Sequence, residues 1–194
     1  MLVLSPDGKR LLKHWTPSNQ AELESSDLDL GSTAPALLAN GYFVQGGKDG
    51  KLRLLSLSHL AGVNGTTGGE LQTVPVPGPT DLFSEPATWK GNWVFLATQD
   101  GTAAWVLRGV RLHAVWSNGN GGTSPVLAGG LLYVQWSGGI RVYVPATGRQ
   151  VGELPLGDVH WQSPIVADGR VAAAEGNSNS HSTSGVLDIY SLPG

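Results

Sequence analysis

Cysteine is absent from this 194-residue chain, which excludes disulfides, thiolate metal sites and thiol catalysis. Charge is scarce as well: Asp, Glu, Lys and Arg make up 14% of the residues, and the net charge of −3 leaves no basic surplus for a phosphate backbone. With no Lys/Arg cluster to change that locally, nucleic acid is excluded as a partner. No apolar run reaches the roughly 18 residues that a membrane-spanning helix needs, so no membrane span is expected. The opening "MLVLSPDGKRLLKHW" has neither a charged leader nor a small-residue cleavage site, and no signal peptide is expected in it. Helix-building composition is missing too. In its place stand 28 glycines and 12 prolines, the punctuation of many short strands. The expected class is all-β, in a single domain over 1–194.

A unit repeats along the chain. "STAPALLANGYFVQGGKDGKLRLLSL" from Ser32, "FSEPATWKGNWVFLATQDGTAAWVL" from Phe83, "GTSPVLAGGLLYVQWSGGIRVYV" from Gly122 and "WQSPIVADGRVAAAEGN" from Trp161 align on Pro35, Pro86, Pro125 and Pro164. The prolines are 51, 39 and 39 residues apart, close to the roughly 40–45 of a four-stranded propeller blade. The loop "SHLAGVNGTTGGE" accounts for the longer first interval.

Each copy has the same grammar. Proline lacks an N–H and therefore suits the first residue of a strand. A short small-residue strand follows, then a turn at Gly41, Gly91, Gly130 or Gly169, then an aromatic or β-branched strand. A second turn at Asp49-Gly50, Asp100-Gly101 or Gly138-Gly139 leads to an alternating strand such as "IRVYV". Asp-Gly and Gly-Gly turns are hairpin signals because their residues reach positive φ without strain. Fourth strands are read at "LQTVPV", "RLHAVW" and "RQVGELPL", giving blade parts over 1–16, 32–77, 83–117, 122–157 and 161–191. The N-terminal "LVLSPDGKRLLKHW" reads as a third strand, turn and fourth strand. Pairing it with the last copy is expected to close four blades and remove exposed edges.

The stretch "SPVLAGGLLYVQWSGGIRVYVPATGRQ" resembles the repeat of the pyrroloquinoline-quinone-like (PQQ-like) β-propellers, with Thr147-Gly148-Arg149 standing at the family's hairpin signature. The resemblance runs from Leu2 to Tyr190. It implies rings of seven or eight blades, so that about four blades here are expected to be the C-terminal half of a longer propeller, completed by missing blades, or to be completed by a second copy in a homodimer. It also implies an extracytoplasmic setting, periplasmic or secreted. The family's quinoprotein dehydrogenases hold quinone and calcium on the ring axis beneath an adjacent cysteine pair, beside an acidic base. This chain has no cysteine and no assignable axial acid cluster, which points to the non-catalytic branch, with no catalytic residue, metal or cofactor. Expected partners are a protein, peptide or glycan. Two alternatives stay open: half of a dehydrogenase-like ring, and a purely structural ring-completing module.

Loops leading into the innermost strands share one mouth of a propeller. "DLFSEP", "SNGNGGTSP" and "GDVHWQSP" are therefore expected to bring Phe83, Glu85, Asn118, Asn120, His160, Trp161 and Gln162 around a depression. Tryptophan offers a stacking face, and the amides offer paired donors and acceptors, as peptide or sugar binding requires. The competing expectation is that Trp161 packs between blades while the Asn and Gly residues cap turns. His14, His59, His113, His160 and His181 lack metal-ligand spacing. The polar "EGNSNSHSTSG", from Glu175, reads as a mobile loop, and Asn64 satisfies a glycosylation pattern. The other tryptophans, Trp89, Trp93, Trp105, Trp116 and Trp136 among them, are expected in the core.

Overall fold

The computed structural model describes residues 1–60, 67–181 and 185–191. A two-stranded sheet, β1 (Leu2–Leu4) and β2 (Leu11–His14), comes first. Three four-stranded antiparallel sheets follow. They are β3 (Ala36–Leu37), β4 (Tyr42–Gln45), β5 (Lys51–Ser56) and β6 (Gln72–Pro75); β7 (Ala87–Trp89), β8 (Trp93–Ala97), β9 (Thr102–Arg108) and β10 (Arg111–Asn118); and β11 (Val126–Ala128), β12 (Leu131–Trp136), β13 (Gly139–Val144) and β14 (Arg149–Pro155). The last sheet has three strands, β15 (Ile165–Ala167), β16 (Arg170–Ala174) and β17 (Leu187–Ser191). Within every sheet the strands lie in chain order, so each is a meander. The innermost strands β3, β7, β11 and β15 neighbour one another in sequence, as the blades of a propeller do.

Local chemistry sets these strands. Each repeat proline immediately precedes an innermost strand, where its missing N–H costs no ladder bond. At Gly129-Gly130 and Asp168-Gly169 both residues have positive φ (57° and 78°; 49° and 71°), and each pair forms a two-residue turn whose twist matches the strands it joins.

The core lies between the sheets. Side chains alternate along a strand, so neighbours serve opposite interfaces. Phe43 and Leu55 join Trp15 and Leu60 against the N-terminal sheet. Val44, Leu52 and Leu54 face the other way, toward Leu82, Val94, Leu96 and Trp105. Phe95, Ala104, Leu132 and Tyr143 fill the next gap, and Ile140, Leu156 and Ala173 the last. Each fully buried Leu or Phe contributes about 1.5–3 kcal/mol, and burial on both faces explains why the central strands read as unbroken apolar runs.

Aromatic residues fill the gap between the second and third full blades. Trp93 stacks on Phe95 at 5.9 Å between centroids, and Trp116 lies 6.2 Å from both Phe95 and Tyr143. The Trp116 indole donates to the Pro145 carbonyl at 2.7 Å, tying the second full blade to the hairpin of the third.

Two features differ from the sequence reading. A short helix, α1 (Gln20–Ser25), sits between the N-terminal sheet and the first full blade, held by buried Leu23. The N-terminal strands pair with each other and not with β17, so among the described residues the last blade has three strands and is not closed by them. The cause is packing: Met1, Val3 and Trp15 are committed to Phe43, Leu55 and Leu60 of the first full blade, and the Lys13 ammonium reaches the Leu57 carbonyl.

Candidate functional site

Repetition places equivalent positions together. The residues three places before the repeat prolines are Ser32, Phe83, Gly122 and Trp161, and all four line one depression of roughly 270 Å³. Two are small and two aromatic. Phe83 and Trp161 meet with ring centroids 5.1 Å apart, tilted by 53°.

Hydroxyls lock the lead-in loops to one another. Ser32 Oγ donates to the Leu82 carbonyl at 2.8 Å, Ser124 Oγ accepts from the Glu85 N–H at 2.9 Å, and Thr123 Oγ1 donates to the Gln162 carbonyl at 2.7 Å. Each bond joins one repeat to the next. The mouth is therefore preorganised by short polar links, each worth about 1 kcal/mol.

A second depression of roughly 420 Å³ adjoins the first across Gln99, Gly122, Thr123 and Trp161. Its walls include Asn120, Trp136, Arg141 and His160. The Arg141 guanidinium lies 4.0 Å from the Trp136 ring centroid, a cation–π arrangement, and also donates to the Gly121 carbonyl at 3.1 Å. His160 packs edge-on to Trp161 at 4.4 Å, and the Asn179 amide donates to its Nε2 at 3.0 Å. Behind this wall, hydrogen bonds from Ser137 and Asn177 hold the Asp158 carboxyl below its ordinary range.

The seven expected residues divide. Phe83, Asn120, His160 and Trp161 line the two depressions. Trp161 is 50% exposed although rings flank it on both sides. Gln162 is spent inside the protein: its Oε1 accepts from the His160 N–H at 2.6 Å, and its amide donates to the Gly176 carbonyl. Asn118 accepts from the Asn120 N–H at 2.9 Å, as a turn-capping amide does. Glu85 is exposed and lines neither depression.

Asp81, Ser124, Trp136 and Arg141 also line the site, and sequence reasoning missed them. The polar loop after Glu175 is not loose in its described part. Gly176 bridges to Val159, and Asn177 and Asn179 bond to Asp158 and His160. Asn64 and Ser182–Ser184 lie outside the described residues. Among the described residues no three His, Asp or Glu side chains group as metal ligands, and no helix is long and apolar enough to cross a membrane.

No family model matches the chain, and no curated protein matches it. Solved structures do. The computationally designed Ika4 protein aligns with a TM-score of 0.57 at 15% identity, over 83% of this chain and 92% of that one. The β-propeller domain of Cps50 (Swd1) from Myceliophteria thermophila gives 0.61 at 12% identity, over 95% of this chain and 59% of that one. BamB from Moraxella catarrhalis gives 0.51 at 19% identity, over 73% and 42%. The chain is thus a β-propeller of four-stranded antiparallel blades, about four in number. It spans 59% of the Cps50 chain and 42% of BamB.

Proposed function

We propose that this propeller is a non-catalytic binding module that takes an extended peptide segment of a partner protein across Trp161. The observation that carries the reading is the half-exposed Trp161, set between two depressions of opposite charge. One side presents the Asp81 carboxylate, the other the Arg141 guanidinium. A peptide supplies an apolar side chain for the indole, a cation for Asp81 and a carboxylate for Arg141, with its backbone matched to Asn120 and Gln99. A neutral glycan uses the indole and the amides and leaves both charges idle. Four of the site residues proposed from the sequence take part: Phe83, Asn120, His160 and Trp161. By its repeat grammar the chain is assigned to the PQQ-like propellers of the extracytoplasmic, non-catalytic kind.

Selection of a random peptide library on the immobilised chain tests this, with Trp161→Ala and Arg141→Ala as counter-screens. Peptides carrying an aromatic or aliphatic anchor between opposite charges are expected, with capture lost by at least tenfold in either variant. Melting temperatures are expected to stay within a few degrees of the parent for Trp161→Ala, since the ring is half-exposed. Binders indifferent to both substitutions, or a glycan ligand in place of peptides, would reject the reading.

A further inference from the structure

Among the described residues the stack of blades ends in apolar faces. In the full blades the alternating side chains are buried on both faces by neighbouring sheets. Among the described residues only one face of the last blade is covered, with Tyr190 and Val171 packed toward Ile140 and Leu156. Its other face carries Ile165, Leu187 and Ile189, at 70%, 65% and 61% exposure. Ile165 and Ile189 stand in register on either side of Ala172, so they form one continuous patch. At the opposite end, Leu37 of the first full blade is 66% exposed beside Phe43, which the N-terminal sheet covers. On that sheet Leu2, Leu4 and Leu11 are exposed, and Leu4 pairs across the strands with Leu11. Isolated exposed leucines need no explanation, but paired apolar faces at both ends of an open stack mark contact surfaces.

Order within the stack selects which faces meet. Lys13 and Asp188 stand opposite Val3 and Ala173 and point into the covered faces, and Glu175 accepts from the Gly157 N–H on the same covered side, so the end faces themselves are mainly apolar. The chain also spans only 59% and 42% of two larger propellers that it superposes on, so its arc leaves room for a comparable arc.

From these observations we infer that the occupant of each end is a second copy of this chain, seated head to tail: the C-terminal face of one copy covers the N-terminal face of the other. Two such contacts, related by a twofold axis, close a ring and leave no apolar end. The contact is heterologous, and that property makes it testable by mixing.

Sedimentation velocity of the purified chain over a range of concentrations is the experiment, with Ile189→Arg and Leu4→Glu as variants. Each places a charge in one apolar end, and circular dichroism confirms that each keeps its strand signal. The parent is expected at twice the 20.2 kDa chain mass. Each variant alone is expected to dissociate at least tenfold more readily. An equal mixture is expected to form dimers again, because the variants retain one intact pair of unlike ends between them. A parent that stays monomeric at hundreds of micromolar overturns the inference. So does an Ile189→Arg variant that dimerises as well as the parent, or open-ended growth in place of a closed dimer. Peptide capture at Trp161 does not enter this readout, so the two proposals stand or fall separately.

Discussion

Replacing Arg53 is expected to cost far more than replacing any surface arginine, because its guanidinium sits inside the first full blade. The side chain is 2% exposed and that of its partner Asp49 is 4% exposed. Nη1 donates to Asp49 Oδ1 at 3.1 Å, Nη2 donates to the second carboxylate oxygen, and Nη2 also reaches Asn19 Oδ1 at 3.1 Å. Strand β5, its hairpin turn and the residue leading into α1 therefore meet on one cation. Arg53→Met keeps most of the apolar stem and strands the Asp49 carboxylate in a dry site, which costs about 3–5 kcal/mol for a buried pair. Lys51, 3.8 Å from the same carboxylate and partly exposed, offsets some of this and sets the expectation at the lower end. For a domain of this size each kcal/mol corresponds to about 2–4 °C, so melting is expected to fall on the order of 10 °C. Urea titrations of Arg53→Met, Asp49→Asn and the double variant give the coupling directly. The double variant is expected to be more stable than the sum of the two losses implies. A loss under about 1 kcal/mol for Arg53→Met, the range of an exposed ion pair, would refute the reasoning.

Other expectations are narrower. Gly121→Ala places a methyl 1.9 Å from the Gln99 carbonyl oxygen and 2.8 Å from that of Thr98, so the loop must move; a loss of about 1–3 kcal/mol by urea titration, with a changed floor to the second depression, is expected. Trp116→Phe keeps an aromatic ring between Phe95 and Tyr143 but loses the bond to the Pro145 carbonyl, for about 1 kcal/mol, whereas Trp116→Ala is expected to cost about 3–5 kcal/mol. Burial, then the neighbouring Glu175 carboxylate, raise the Asp188 carboxyl above its ordinary value. A raised folded-state carboxyl favours folding at low pH and loses that contribution as pH climbs through the raised value. Asp188→Asn should therefore raise the melting temperature at pH 7 to 8 and converge with the parent in acid; equal shifts at all pH values would contradict the assignment.

Much of the fold was legible because turn chemistry is local. Proline must start a strand and paired left-handed residues must turn one, so Pro125, Gly129 and Gly130 mark a blade regardless of what packs on it. The N-terminal sheet was harder. Its strands read correctly as a hairpin, but whether Val3 and Trp15 pack on the first full blade or close the last one depends on contacts between distant residues, which periodicity does not encode. Helix α1 is too short to show a helical period, and only Leu23 is buried in it. The site was half legible for a related reason. Counting back from the prolines brings Phe83 and Trp161 together, since equivalent positions in a repeat occupy equivalent space. The direction of a loop side chain follows no period, so Gln162 and Asn118 turn inward to satisfy backbone groups. Trp136, expected in the core, and Arg141, one residue of the alternating strand "IRVYV", stack on one another at the wall of the depression.

The most direct test of the central claim is amide hydrogen exchange on the chain with and without a peptide selected for binding. If the lead-in mouth is the binding surface, protection is expected at 81–85, 119–124 and 158–162, with β6, β10 and β14 unchanged. Protection confined to those outer strands, with the residues around Trp161 exchanging as before, would contradict it.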